Sequence, residues 1–217
     1  MCGKFTQLAS WEEVHAFSQP MADASPAAAV IVSTPMRFAK VIHRGADGTR
    51  MLTPMRWGFP EKSATSPARP KHMHARAETI DTRPTFAPAF ESGRGLLMVH
   101  TFNEGEELPG GKTRQWTITP RDGQPIAIAV IFERWVRGEE DLLTFVLVTT
   151  PANALIGRIT DRMPAVLRPQ DWPAWLGETD APPGAVKALL STFDDGGTWE
   201  MREQDAKSRP PPAPTLL

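Results

Sequence analysis

The chain of 217 residues has no tyrosine and a single cysteine, and its longest apolar runs are only Ile126–Phe132 and Ala27–Val32. Each shortage removes a class of protein. One thiol cannot close an intramolecular disulfide or build a Cys-rich zinc site, so a stapled secreted scaffold and a zinc ribbon are excluded. Neither apolar run approaches the roughly 20 residues of a bilayer-spanning helix, so no membrane partner is expected. The opening Met1-Cys2-Gly3-Lys4-Phe5-Thr6-Gln7 lacks the apolar stretch and small-residue cleavage site of a signal peptide, and the expected compartment is a reducing cytoplasm. No residue pattern calls for a metal or a cofactor.

An overall excess of charge is also missing, since 24 Lys+Arg stand against 25 Asp+Glu. The distribution is uneven. From Thr34 to Arg76 nine bases (Arg37, Lys40, Arg44, Arg50, Arg56, Lys62, Arg69, Lys71, Arg76) meet two acids (Asp47, Glu61), a balance of +7. From Asp171 to Asp205 eight acids meet two bases, a balance of −6. Such a split is compatible with two solvated faces and equally with an anionic partner on the basic one. With 41% hydrophobic and 23% charged residues, the composition is that of an ordinary folded domain rather than a disordered chain.

Ser10 and Glu13 have capping-box spacing, with Trp11, Val14 and Phe17 on one face of a short helix. Extended, β-branched segments follow at Ala28–Ser33 and Phe38–His43, and Asp47-Gly48 is the hairpin turn before Thr49–Trp57. Glu61–Lys71 reads as a long loop rich in Pro, Ser and Ala. A short helix is predicted from about Glu78, broken at Pro84, and strands at Leu96–Thr101, Gln115–Thr119, Ile126–Phe132 and Leu142–Thr149. Thr150-Pro151 reads as the N-cap and first residue of a helix through Ile156, with further helices at Gln170–Leu176 and Pro183–Leu190. The predicted fold is α+β: a mostly antiparallel, curved sheet or barrel-like core with short peripheral helices over residues 1–202. Residues 203–217 end in Pro210-Pro-Pro-Ala-Pro214 and read as a disordered, Pro-rich tail.

The sharpest chemical possibility lies in the solitary thiol. If Met1 is removed, Cys2 carries a free α-amine beside its thiol, with ordinary pKa values of about 8 and about 8.5. A 1,2-aminothiol condenses with an aldehyde to an imine and then closes to a thiazolidine, a product more durable than the adduct of either nucleophile alone.

Five segments accompany it in order: Met1-Cys2-Gly3-Lys4-Phe5, Arg56-Trp57-Gly58-Phe59-Pro60, Ala75-Arg76-Ala77-Glu78-Thr79, Thr149-Thr150-Pro151-Ala152-Asn153 and Asp161-Arg162-Met163-Pro164. On these the sequence, from Met1 to about Trp175, resembles the SOS-response-associated peptidase family of abasic-site-processing proteins. The resemblance implies that Cys2 attacks the ring-opened aldehyde of an abasic site in single-stranded DNA, forming a thiazolidine crosslink that shields the lesion during the DNA damage response. It also implies a monomer, associated with the nucleoid if the source is bacterial. The family's self-cleavage of a short propeptide would have nothing longer than Met1 to remove.

The family's catalytic glutamate closes a motif Arg-Cys-Leu-x-Pro-Ala-Asp-Gly-Phe-Tyr-Glu-Trp. Here the matching run is Arg94-Gly-Leu-Leu-Met-Val-His-Thr-Phe102-Asn-Glu104-Gly, so Glu104 takes the proton-moving role, although by itself Glu104 beside Gly105, Glu106 and Glu107 reads as a solvated acidic turn. The family asparagine before Ala-Arg-Ala-Glu is His74, and its histidine before Asp-Arg-Met-Pro is Thr160, which cannot exchange protons near neutral pH. His74, or His100 in place of the family aspartate, then becomes a replacement acid–base group. Lys4, Arg76 and Arg162 match the family's phosphate-holding positions, contacts that fix a strand without reading bases. Trp57 and Pro35 are expected apolar surfaces for flanking bases. His15, His43 and His72 have no motif support. Two other functions stand beside crosslinking: a noncatalytic single-stranded-DNA binding module, and a Cys-dependent peptidase, for which no thiol, base and orienting group are evident.

Overall fold

The computed structural model of the protein describes residues 3–7, 31–66 and 70–204. Cys2, the Ser10–Phe17 helix, the first part of the Ala28–Ser33 strand and the tail beyond Gln204 lie outside the described residues. The strands are β1 (Lys4–Gln7), β2 (Ile31–Ser33), β3 (Phe38–Arg44), β4 (Arg50–Trp57), β5 (Phe59–Pro60), β6 (Pro70–His72), β7 (His74–Arg76) and β8 (Arg94–Val99). They continue with β9 (Thr101–Leu108), β10 (Lys112–Pro120), β11 (Ile126–Arg137), β12 (Glu140–Pro151), β13 (Arg162–Pro164), β14 (Val166–Leu167) and β15 (Trp199–Glu203). Short helices occupy Ala87–Ser92, Trp172–Leu176 and Pro183–Ala188.

Five strands close on themselves. β12 pairs with β4, β4 with β3, β3 with β8, β8 with β11, and β11 returns to β12. All of these pairings are antiparallel except β12 with β4. Alternation along each wall strand sends successive side chains to two different apolar clusters: Leu97, Ile128, Val130 and Leu147 to one, Leu96, Ala129, Ile131 and Val148 to the other. The second cluster contains Phe90, Trp172 and Trp175 from the helices. A five-stranded barrel has an interior only wide enough for side chains, so the helix-bearing face is the outer one and the first cluster fills the lumen. Each large aliphatic side chain closed in this way contributes about 1.5–3 kcal/mol.

A second sheet, in the order β15-β10-β9-β1-β2, extends the lumen cluster with Phe5, Phe102, Ile118 and Trp199. It carries the N-terminal strand. Several elements differ from the sequence reading. The segment read as a long loop ends in a strand, because Pro70–His72 pairs with Phe59–Pro60, and β12 runs through Thr150 to Pro151, so those residues end a strand instead of opening a helix. The turn beyond is capped by Asn153, whose Oδ1 accepts from Ile156 N at 3.0 Å while Nδ2 donates to Asp195 Oδ1 at 3.0 Å. The oppositely charged segments are joined, because Arg50 is buried and gives two hydrogen bonds to Glu178, at 2.6 and 2.8 Å.

Candidate active site

Glu104 does not sit in a turn. Strand β9 continues to Leu108, and the turn is made by Gly110-Gly111, both at positive φ. Directly opposed residues of an antiparallel pair share a face, so the register builds one row of side chains across β9 and β10. Phe102 faces Ile118, Glu104 faces Trp116, and Glu106 faces Arg114. The first pair is fully buried, Glu104 is 1% exposed, and the last pair is partly exposed. Glu104 therefore stands at the edge of the lumen core. On its other side β9 pairs with β1, Lys4 opposite Asn103 and Phe5 opposite Phe102. The carboxyl thus follows the residue that faces Lys4, two positions after Cys2.

From Phe5 the same cluster leads to His74. The Trp57 ring lies 5.1 Å from Phe5 and 5.9 Å from His74, edge-on to the latter. His74, half-buried, opens β7, which runs parallel to β12 with Arg76 opposite Thr149. The Ala75-Arg76-Ala77 motif is explained by burial: both alanines are closed in the helix-bearing cluster and Arg76 is exposed. Thr160 is half-buried between the 3-10 turn Ile156–Arg158 and β13, its N–H given to Ile156 O at 3.1 Å. Ile156 and Met163, on either side of it, belong to the cluster that Trp57 and Phe5 join. Glu104, His74 and Thr160 thus each neighbour a member of that cluster, Phe102, Trp57 and Ile156 respectively. His100 links β8 to β9, gives its N–H to Thr6 O at 3.1 Å, and has a buried Nδ1 with no partner among the described residues.

Two of the expected DNA contacts are placed differently. Trp57 is 0% exposed, stacked on Phe145 at 6.3 Å, with its indole N–H donated to Met73 O at 3.0 Å; it is core, not a surface for bases. Gly58, after it, has φ 110°, and a Cβ there would come within 2.4 Å of Pro70, which accounts for the glycine of the Arg-Trp-Gly-Phe-Pro motif. Arg162 is 8% exposed, bonded through both terminal nitrogens to the Glu78 carboxylate and at 2.7 Å to Thr149 O. Its charge holds β13 to the turn Ala77–Thr79 instead of facing solvent. Hydrogen bonding from Arg162 keeps Glu78 below the usual carboxylate range.

Pro35 is half-buried, but the residues beside it went unnoticed in the sequence. Met36, at φ 71°, and Phe38 are each 46% exposed, and the Arg56 Nε–H bonds to Met36 O at 3.2 Å. With exposed Arg37 between them, they form an apolar projection in a basic setting. The positive φ is the kind of local strain that no periodicity reveals. Trp116 was missed as well, because its relation to Glu104 exists only through strand pairing. Of the histidines without motif support, His43 is lowered by burial and bonds to Thr53 Oγ1 at 2.8 Å, and His72 is lowered chiefly by burial and packs edge-on against Phe86.

The sequence profile of the SOS response associated peptidase (SRAP) family matches residues 1–205. The chain is 26% identical over 199 residues to abasic site processing protein YoqW of Bacillus subtilis (strain 168), covering 89% of this chain and 88% of that protein. It is 30% identical over 128 residues to abasic site processing protein YedK of Escherichia coli (strain K12), covering 58% and 54%. Among solved structures, a protein of Bacteroides thetaiotaomicron aligns with a TM-score of 0.75 at 19% identity over 93% of this chain and 91% of that one. A Bordetella bronchiseptica protein aligns with a TM-score of 0.75 at 20% identity over 94% and 99%.

Proposed function

The chain belongs to the SOS response associated peptidase family, and from that membership we propose that it processes abasic sites in single-stranded DNA by coupling Cys2 covalently to the lesion. The observation that carries the reading is the buried Glu104 carboxyl on the strand paired with β1, whose first residue follows Cys2 by two positions. With Met1 removed, the Cys2 amine adds to the aldehyde carbon of the ring-opened sugar. The carbinolamine loses its oxygen as water to give an imine, and the thiolate adds to the imine carbon to close the thiazolidine. One C–N and one C–S bond replace the C=O, so no oxidant or reductant is consumed. Glu104 gives a proton to the departing hydroxyl and takes one from the amine, the work expected of a carboxyl in a partly closed site.

His74 supplies acid–base function in place of the imidazole absent at Thr160. Arg76, exposed at the end of β7, and Lys4 at the start of β1 hold phosphates, so affinity falls with salt. Met36 and Phe38 take the apolar role first expected of Trp57, offering surfaces to flanking bases. A role in the damage response fits the family, and the relatives' names point to the same lesion.

A second reading, a noncatalytic single-stranded-DNA binding module, is favoured by Thr160 alone. One experiment separates the two. Protein whose mass shows Met1 removed is incubated with an abasic single-stranded oligonucleotide and run on a denaturing gel: an SDS-resistant adduct is expected, and none with Cys2→Ala. Salt-sensitive binding without any adduct after prolonged incubation would establish the binding module instead, and no binding would sink both. His74→Ala is expected to slow adduct formation, and an unchanged rate would remove its assigned role.

A further inference from the structure

Trp116 stands directly opposite Glu104 in the β9–β10 register, with both side chains on one face of the sheet. The indole is clamped. Its Nε1–H donates to Glu106 Oε2 at 3.0 Å, and the same oxygen lies 3.5 Å from Arg114 Nη1. Arg114 Nε also lies 3.4 Å from Glu203 Oε1, and Glu203 is the residue that flanks Trp116 from β15. The ring is thus fixed by a chain of charged groups on three adjacent strands. It is itself half-buried, whereas the carboxyl facing it is 1% exposed.

In the row that passes from Phe102 and Ile118 outward, the indole is the last apolar body before the charged pair of Glu106 and Arg114. We propose that Trp116 is a positioning residue for the reaction: its clamped ring covers the Glu104 carboxyl, holds it against the lumen core and excludes bulk water from it. The proposal rests on the role assigned to Glu104 above, and it adds what keeps that carboxyl fit for proton transfer. An aromatic wall disfavours the charged form of a carboxyl, so opening the wall lets the carboxylate form at lower pH. Among the described residues, the charged groups nearest in register to Glu104 include Glu106 on its own strand, Arg114 on β10, Glu203 on β15 and Lys4 on β1, opposite the adjacent Asn103. None of them changes in Trp116→Ala.

The test uses the full chain and two readouts. The first is the titration of the Glu104 carboxyl by carbon-13 NMR, assigned by the loss of its signal in Glu104→Gln. Trp116→Ala is expected to move the midpoint to lower pH by about one unit, Trp116→Phe to leave it near the parent value, and Glu106→Ala, which releases the indole but keeps it, to give a smaller shift in the same direction that exceeds the shift in Glu106→Gln, which removes the same charge but still accepts from the indole. An unmoved midpoint in both Trp116→Ala and Glu106→Ala overturns the proposal, and the second variant retains the ring should the first fail to fold. The second readout is the rate of adduct formation, expected to fall about tenfold in Trp116→Ala, as a one-unit shift of the acting group implies. A moved midpoint with an unchanged rate would also overturn the positioning role. If Glu104→Gln forms adduct at the full rate, the function assigned to Glu104 fails, while the midpoint still reports whether the ring shields it.

Discussion

The barrel wall and the five-stranded sheet put the same alternating geometry to different ends. In the wall both rows of side chains are buried, so that all six residues from Ile126 to Ile131 are closed. In the sheet one row begins as core at Phe102 and Ile118 and ends as a partly exposed ion pair at Glu106 and Arg114, with Glu104 and Trp116 between. A carboxyl that moves protons for a large solute works in neither extreme: the wall admits no solute, and open water levels the environment that tunes the group. The place for chemistry is where a core row runs out. Trp57 and Trp116 make the same point, since one is closed in the lumen cluster and the other is half-buried and bonded to Glu106.

The contrast breaks most plainly at Trp57. Trp57→Ala should cost about 3–5 kcal/mol of stability, read from the urea midpoint, because it removes the ring that joins Phe5, His74 and Phe145. A loss below about 1 kcal/mol would mean that the lumen collapses around the gap. On the sheet, Glu104→Gln should leave the urea midpoint close to the parent value and slow adduct formation by about 10²- to 10⁴-fold. A large fall in stability at an unchanged rate would make Glu104 structural and erase the distinction.

A smaller effect belongs to the tether that holds β13 to the turn Ala77–Thr79. Glu78→Gln leaves the buried Arg162 guanidinium without its anion and should cost about 1–2 kcal/mol. Glu78 titrates below the usual carboxylate range, chiefly through its hydrogen bond from Arg162. The contribution of the pair is therefore full above the ordinary glutamate pKa and is lost as pH falls through the lower folded-state value. Urea midpoints of parent and variant should differ at neutral pH and converge on acidification, and a gap independent of pH would remove the tether from the account.

Most strands could be read locally, because β8, β11 and β12 are long apolar or alternating runs bounded by turn residues, and the antiparallel sheet with short helices followed from their spacing. Departures arose where a neighbour overrode local preference. Thr150-Pro151 has the chemistry of a helix start, yet pairing with Arg162 and Met163 keeps it extended. Gly105-Glu106-Glu107 has the composition of a turn, yet seven paired residues of β10 hold it as strand. Of the site, His74, Thr160 and Arg76 were found through the family motifs, whereas Met36, Phe38 and Trp116 carry no motif.

By itself the sequence determined the apolar strand runs of the wall, the Asp47-Gly48 turn between β3 and β4 and the presence of an amine and a thiol on one residue once Met1 is gone, since each depends on a residue type and its immediate neighbours. Only the tertiary structure decided that β12 returns to both β4 and β11, that Trp57 is core, that Arg162 is committed to Glu78, and that Glu104 lies buried opposite Trp116. Burial and pairing are set by residues distant in the chain, and they settle which of several chemically able side chains meets a partner, water or nothing.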